Sequence, residues 1–350
     1  MKKNIQVGLI GLGEMSNHYI HLLSELDNIE IAGICDIDEK IIHLKGDEHG
    51  IPLDKRFSNY ELLIRDPAVD AVISMVPNKF HAEIIHLCIQ NQKPLMTEKP
   101  FTLTFEEAKE LKRKFERQPI LCMVGFSYRY IPSFRYVKKL LEENTLGSIR
   151  HLSVQYLQQW GSPLFETPFS WRFSKEMSGS GALGDLGSHM IDTARYFGGE
   201  FHVVSSIIRT FVKERKDNEN QKIETVNVDD FSSFQAIFEN GAIGTFVTSR
   251  NAVGAGNQLE ITIFGDRGTI KVGCERPNEV TICLKSEKKD VLLCNKVVPE
   301  EYSRTQLQDF VDLILYRDPK YYPNFYDGYQ NQKIIQEVID LAHSEKHEFI

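Results

Sequence analysis

The sequence has no Cys-x-x-Cys pair, no apolar run of membrane-spanning length, no excess of basic charge and no internal repeat. Each absence removes a class of function. The six cysteines (Cys35, Cys88, Cys122, Cys274, Cys283 and Cys294) are scattered, so neither a zinc site nor a disulfide framework is indicated, and no metal is expected. Three of them sit inside apolar strand or helix patterns, where a reduced thiol serves as a small apolar side chain. A cytoplasmic, reduced protein is expected. No apolar stretch approaches the ~20 residues that cross a bilayer. Met1-Lys2-Lys3-Asn4 leads straight into an apolar strand pattern, so no signal peptide is expected. The net charge of −8 gives the chain no overall footprint for nucleic acid or an anionic membrane surface. An anionic small molecule would need a local basic pocket.

What is present is a soluble, globular composition, with 41% apolar and 26% charged residues. A length of 350 residues exceeds one ordinary core and suffices for two domains. Residues 1–125 alternate strand and helix signals. Strands are expected at Ile5–Ile10, Glu30–Asp36, Ala71–Val76, Pro94–Thr97 and Ile120–Gly125, with helices between them. Thr104-x-x-Glu107 reads as a capping box opening one of these helices. Alternating β and α units with buried apolar strands imply a doubly wound parallel sheet, an α/β Rossmann domain. Ligands of such sheets lie outside the carboxyl ends of the strands.

After residue 125 the pattern changes. A helix at Ser133–Glu143 and a strand at Ile149–Gln159 precede an aromatic loop from Trp160 to Phe173. A helix is expected from about Leu183 to Phe197. Strands follow at Val203–Val212, Asp229–Phe238, Ala242–Ser249 and Gln258–Phe264, joined by hairpin turns. Lys213–Lys222 reads as a solvated loop tip. Helices near Tyr302–Leu315 and Tyr326–Glu345, around Asp318-Pro319, finish the chain. Residues 126–350 are thus expected to form an α+β domain with a large open, mostly antiparallel sheet.

Three stretches carry chemistry. In Gly11-Leu-Gly13-Glu14-Met15-Ser16, a strand runs into a glycine turn and then a helix. Gly11 allows the turn, Gly13 leaves room for a pyrophosphate, and Ser16 lets the helix pack close. The helix N-terminus, with Glu14 and Met15 in its first turn, presents free N–H groups to phosphate. Asp36, at the end of the second strand, suits the ribose hydroxyls. It favours NAD over NADP, because its carboxylate repels a 2′-phosphate and no Arg or Lys follows at 37 or 38. The second stretch holds Asp185, His189 and Asp192, which share one face of the expected helix. Two carboxylates beside an imidazole tune it for proton transfer near neutral pH. The alternative is an amphipathic helix with a solvated polar face. Third, Lys99 stands at the end of a parallel strand, where an ammonium can stabilise developing alkoxide charge or simply face solvent.

Gly11-x-Gly13-x-x-Ser16, Asp36, Val76-Pro77-x-x-x-His81, Glu98-Lys99-Pro100, Gly125-Phe-Ser-Tyr-Arg129 and Gly184-Asp185-x-Gly-x-His189-x-x-Asp192 occur in this order. With them the chain resembles the Gfo/Idh/MocA oxidoreductases, the glucose-fructose oxidoreductase and inositol dehydrogenase family, over essentially its full length. Ser16 replaces the more usual alanine, and Ser127 stands where asparagine is common. The resemblance implies hydride transfer between NAD and a carbon of a cyclic polyol or sugar, and a homodimer or homotetramer built on the open sheet. It implies His189 as acid/base, Asp185 as a substrate hydroxyl ligand and Lys99 as the polarising group. Pro77, His81 and Glu98 would join the cofactor site. Trp171, Arg129, Arg172 and Arg250 are further substrate candidates, the last two for a phosphate. Arg129 alternatively serves the fold. Glucose-6-phosphate 3-dehydrogenation and inositol dehydrogenation both fit, and the arginines tilt the expectation to the sugar phosphate. A non-catalytic NAD-binding sensor stays open, against which the Lys99, Asp185 and His189 set argues.

Overall fold

A computed structural model describes residues 4–218, 221–285, 291–317 and 320–344. The chain divides into two compact units. The first begins with β1 (Ile5–Ile10), α1 (Glu14–Ser24), β2 (Ile29–Cys35), α2 (Glu39–Glu48), β3 (Arg56–Phe57), α3 (Tyr60–Arg65), β4 (Ala71–Ser74), α4 (His81–Gln90), β5 (Leu95–Thr97), α5 (Phe105–Arg117) and β6 (Cys122–Val124). The six strands form one parallel sheet in the order β3-β2-β1-β4-β5-β6. Strand order reverses between β1 and β4, and the β1–α1 loop sits at that reversal. The strands read as near-continuous apolar runs because helices cover both sheet faces. Val7, Leu9, Ala71 and Ile73 are fully buried. Thr104 and Glu107 form the expected reciprocal cap on α5, an arrangement that stabilises a helix start by about 1 kcal/mol.

The second unit holds α6 (Pro132–Glu142), β7 (Ile149–Gln158), the short α7 (Lys175–Ser178), α8 (Ser188–Gly198), β8 (Phe201–Arg209), β9 (Glu214–Lys216), β10 (Ile223–Thr225), β11 (Phe231–Phe238), β12 (Ile243–Ser249), β13 (Asn257–Gly265), β14 (Gly268–Gly273), β15 (Glu279–Lys285) and β16 (Val291–Val297). Eight strands make a sheet in the order β16-β15-β14-β13-β7-β12-β11-β8. Every neighbouring pair is antiparallel except β7 and β12. Leu152, Val154 and Tyr156 of β7 alternate inward and join a core with Phe134 and Val137 of α6 and Met190, Ile191 and Ala194 of α8. Period-2 patterning thus places the helices on one face of this sheet.

The structure departs from the sequence reading in three places. Lys213–Lys222 is not simply a solvated tip, because β9 and β10 pair as a hairpin. Its central Arg215 turns inward, 6% exposed, and donates to the carbonyls of Gly161 and Thr167. A run of charged side chains hid that alternation. Secondly, the expected helix at 183–197 opens with a π-helical turn at Leu183–Gly187 before α8.

The third departure concerns α9 (Gln306–Tyr316), which belongs to the first unit together with residues 305–329, although 126–350 were expected to form one domain. Leu307, Phe310 and Val311 share a core cluster with Val7, Leu9 and Ile73. Gln306 also donates to the Val124 carbonyl at 2.6 Å, and Val124 N–H donates to Pro323 at 2.8 Å. The edge strand β6 is covered in this way. The unit boundary then falls within α10 (Phe325–Ser344). Asp318-Pro319, around which the last two helices were expected, and the expected end of the last helix at Glu345 lie outside the described residues. Among the described residues, no helix is long and apolar enough to cross a membrane.

Candidate active site

In the first unit, the glycine loop has the shape that a dinucleotide phosphate requires. Gly11 takes φ +87°, and a Cβ there would lie 2.9 Å from the Met75 backbone. Only glycine suits that turn. Gly13 differs, since a Cβ added to it would meet nothing within 4 Å. The protein itself does not require a bare backbone at Gly13. The space fits a group from outside the chain. Gly13 is also the N-cap of α1 and makes no side-chain cap bond, so first-turn N–H groups remain available to an anion. Ser16 is fully buried, and its hydroxyl donates to Gly13 O at 2.7 Å.

Asp36 lies at the end of β2 and ties this loop together. Its Oδ2 accepts from Leu12 N–H at 2.7 Å, and its Oδ1 from Asp38 N–H at 3.0 Å. A carboxylate has about four acceptor positions, so capacity for ribose hydroxyls remains. These residues fit NAD. Glu14 and Met15 are exposed in the first turn of α1, and Pro77 is half-buried after β4.

His81, expected beside the cofactor, is fully buried and bonded within the protein. Its Nδ1 lies 2.7 Å from Pro100 O and its Nε2 2.9 Å from Val76 O, so it clamps the loops after β4 and β5. Burial pushes its pKa below the usual histidine value, against the pull of both carbonyls. Glu98 is likewise engaged by the protein. It accepts from the Tyr19 hydroxyl at 2.7 Å and lies against Gly125, where a Cβ would be 2.8 Å from its Oε2. Burial, then the charge of Glu98, pushes the Tyr19 pKa well up. Lys99 is half-buried, and its peptide bond to Pro100 is cis.

In the second unit, the π-helical turn and α8 carry Asp185, His189 and Asp192. Asp192 is 1% exposed and receives a bidentate pair from Arg129, at 2.7 Å from Nε and 2.6 Å from Nη2. Arg129 is itself buried and lies over the Tyr196 ring. It therefore serves the fold, as its alternative reading had it, and is withdrawn as a substrate contact. Arg250 is withdrawn as a phosphate ligand for the same reason, being 1% exposed. Its guanidinium donates to Gly181 O at 2.9 Å, Asp185 Oδ2 at 3.2 Å and Arg172 O at 3.3 Å. Arg172 is exposed and stacks on Trp171, 4.6 Å from the ring centroid. The two arginines do not form a phosphate clamp.

His189 is 7% exposed and packs edge-on against Tyr128, with ring centroids 4.6 Å apart. Tyr128 belongs to a neutral polar cluster that sequence reasoning missed. Its hydroxyl meets that of Tyr156. Tyr156 donates to Asn257 Oδ1 at 2.7 Å, and Gln158 donates to the same oxygen at 2.6 Å. Trp160 Nε1 donates to Gln158 Oε1 at 2.5 Å. Burial pushes the hydroxyl pKa of both tyrosines up, so they stay neutral donors and acceptors. The period-2 spacing of Tyr156 and Gln158 was the available signal, since i and i+2 share a strand face. Trp160 also packs with Phe169, Phe173, Val226 and Val228, so the aromatic loop builds a small core of its own.

Residues 5–126 match a family described as an oxidoreductase family with an NAD-binding Rossmann fold. Residues 134–271 match the GFO/IDH/MocA C-terminal domain. Levoglucosan dehydrogenase of Pseudarthrobacter phenanthrenivorans is 33% identical over 307 residues, 82% of this chain and 78% of that protein. Glucose-6-phosphate 3-dehydrogenase of Bacillus subtilis is 27% identical over 351 residues, 96% of this chain and 95% of that protein. A solved structure of levoglucosan dehydrogenase in complex with NADH superposes with a TM-score of 0.89 at 30% identity, covering 98% of each chain. The chain therefore belongs to the Gfo/Idh/MocA family of NAD-dependent oxidoreductases.

Proposed function

We propose that this chain is an NAD-dependent dehydrogenase that oxidises a secondary hydroxyl of an uncharged cyclic sugar or polyol. The observation that carries the reading is the surrounding of His189, where Tyr128, Tyr156, Gln158 and Asn257 supply neutral donors and acceptors. Such groups suit substrate hydroxyls. The relatives named above, both sugar dehydrogenases, support the class.

When bound, NAD supplies the nicotinamide that accepts hydride. Gly11, Gly13 and the first turn of α1 hold the pyrophosphate, and Asp36 holds the ribose and disfavours a 2′-phosphate. Met15, Pro77 and Glu98 are carried into the same site by the family resemblance. In this reading a ring nitrogen of His189 takes the hydroxyl proton, and the family resemblance gives Lys99 the role of stabilising the oxygen as it becomes an alkoxide. Asp185, whose side chain is 23% exposed, accepts from a neighbouring substrate hydroxyl.

Glucose-6-phosphate 3-dehydrogenation is the second reading. Exposed Arg172 beside Trp171 favours it, as does the relative matched over 96% of the chain. Apolar side chains exposed on the large sheet, among them Val204, Ile207 and Ile243, support a homodimer or homotetramer through that surface. Six unpaired thiols support a cytoplasmic setting.

The test is NADH formation by purified protein with levoglucosan, glucose, glucose-6-phosphate, myo-inositol and scyllo-inositol, each with NAD and NADP. Turnover of an uncharged ring with NAD is the expected result. Turnover of the phosphorylated sugar alone would move the assignment to the second reading. NAD binding with no turnover on any of them would favour a sensor.

A further inference from the structure

We propose that Arg250 is a positioning residue, holding the Asp185 carboxylate in the orientation in which it meets the substrate hydroxyl. The inference rests on the reading of Asp185 given above. Arg250 follows β12 directly and lies wholly inside the second unit, whereas the Asp185 side chain is 23% exposed. The cation is interior and the anion reaches the surface. One guanidinium spans three places, namely the carbonyl of Gly181 at the entry to the π-helical turn, the carboxylate of Asp185 within it, and the carbonyl of Arg172 in the aromatic loop. The Trp160 and Phe173 rings lie 5.1 and 5.8 Å from its central carbon and close it off from water.

A second clamp frees Arg250 for this task. Asp229 accepts from Gly181 N–H at 2.6 Å and Leu183 N–H at 2.7 Å, and its own carbonyl accepts from Ala182 at 2.9 Å. A Cβ at Gly181 would fall 1.7 Å from that carbonyl, so only glycine passes here. Asp229 fixes the backbone of the turn, and Arg250 fixes the Asp185 side chain. A buried guanidinium is costly to desolvate, and an apolar replacement of a buried ion pair is often no less stable. Divided over two carbonyls and one carboxylate oxygen, Arg250 gains little as a stabiliser. It instead specifies where a partly exposed carboxylate points and keeps that carboxylate ionised.

The experiment compares Arg250→Gln, Arg250→Lys and Asp185→Asn, alone and combined, using the best substrate of the panel. Arg250→Gln should lower kcat/KM by about 10–100-fold, and in the Asp185→Asn background the same change should cost less than about 3-fold, because coupled residues are non-additive. Arg250→Lys keeps the charge and should recover part of the loss. NADH binding, which uses the other unit, should be unchanged in all of them, and the thermal unfolding transition followed by circular dichroism reports whether the second unit is folded. A second arm is independent of turnover. The carboxyl of Asp185 is titrated by NMR on carbon-13-labelled aspartate, its signal assigned with Asp185→Asn. Arg250→Gln should raise its midpoint by about one pH unit or more. Tyr128 and Tyr156 also face Asp185, but burial keeps both neutral over that range. Additive losses with an unmoved midpoint would overturn the proposal. A wild type silent on every sugar would overturn the functional reading instead, and the NMR arm would still decide the role of Arg250.

Discussion

Two arginine–aspartate pairs flank His189, and they are built to different plans. Arg129 and Asp192 are both interior, and the pair is bidentate with both contacts under 2.8 Å. Arg250 and Asp185 share a 3.2 Å contact in which only the cation is interior. The first plan suits holding α8 in place, because planar fork geometry satisfies both partners and leaves neither facing water. The second suits presenting a charge, because the carboxylate keeps access to what approaches from outside. Burial of the carboxylate, more than the presence of a salt bridge, separates the two plans on this segment.

The largest test of that contrast removes one partner of the closed pair. Asp192→Ala should destabilise the protein by about 3–5 kcal/mol, since it leaves a buried guanidinium uncompensated. Denaturant unfolding measures it, and a loss below ~1 kcal/mol would erase the distinction between the pairs. The double change Arg129→Met with Asp192→Leu should recover most of that stability, because it removes both charges together. Next is His189→Ala, expected to cut turnover about 10²–10⁴-fold with little change in unfolding midpoint. A folded variant with unaltered turnover would remove His189 from the mechanism. Asp185→Asn should reverse the Asp192 pattern, with kcat/KM falling about 10–100-fold and a stability change within ~1 kcal/mol, because the Asn oxygen still accepts from Arg250 and two carbonyls keep the guanidinium hydrogen-bonded. Equal stability losses at Asp185 and Asp192 would show the two plans to be one.

The smallest effect is expected at a partly buried pair of the first unit, Lys55–Asp66, 2.7 Å apart. A hydrogen bond from the Lys55 ammonium holds the Asp66 carboxyl below the usual carboxylate range. A depressed folded-state value means that the contribution is complete above the ordinary carboxylate pKa and fades as pH falls through the folded one. Asp66→Asn should therefore lower the unfolding midpoint slightly at pH 7 and hardly at all near pH 2. An effect that grew on acidification would contradict this assignment.

Much of this could be read from residue order alone. β1 and the Thr104–Glu107 cap match the expectation from periodicity and capping chemistry, and most other strands of the first sheet differ only at their ends. Those signals are local. The glycine loop was legible for the same reason, since a positive φ and a bare Gly13 follow from the motif itself. What failed was partner choice. Nothing near Arg129 or Arg250 in the sequence announces Asp192, 63 residues on, or Asp185, 65 residues back. Arg129 and Arg250 therefore passed for substrate contacts, Arg250 for a phosphate ligand, when the fold uses both as interior cations. His81 failed likewise, because its two carbonyl partners come from separate loops. Residues 305–329 went with the wrong unit because an amphipathic helix does not encode which sheet it covers.

Asp36 has a consequence for engineering. Its carboxylate already fastens the glycine loop through Leu12 and the turn that follows through Asp38. The loop is tethered before any nucleotide arrives, which lowers the ordering entropy lost on binding. An attempt to convert the protein to NADP by exchanging this acid for a small neutral residue would discard both tethers. Affinity for NAD would fall, and the gain for NADP would be blunted by the slackened loop. A successful conversion calls for a replacement that still accepts from the Leu12 and Asp38 amides, with the phosphate-binding cation introduced at 37 or 38.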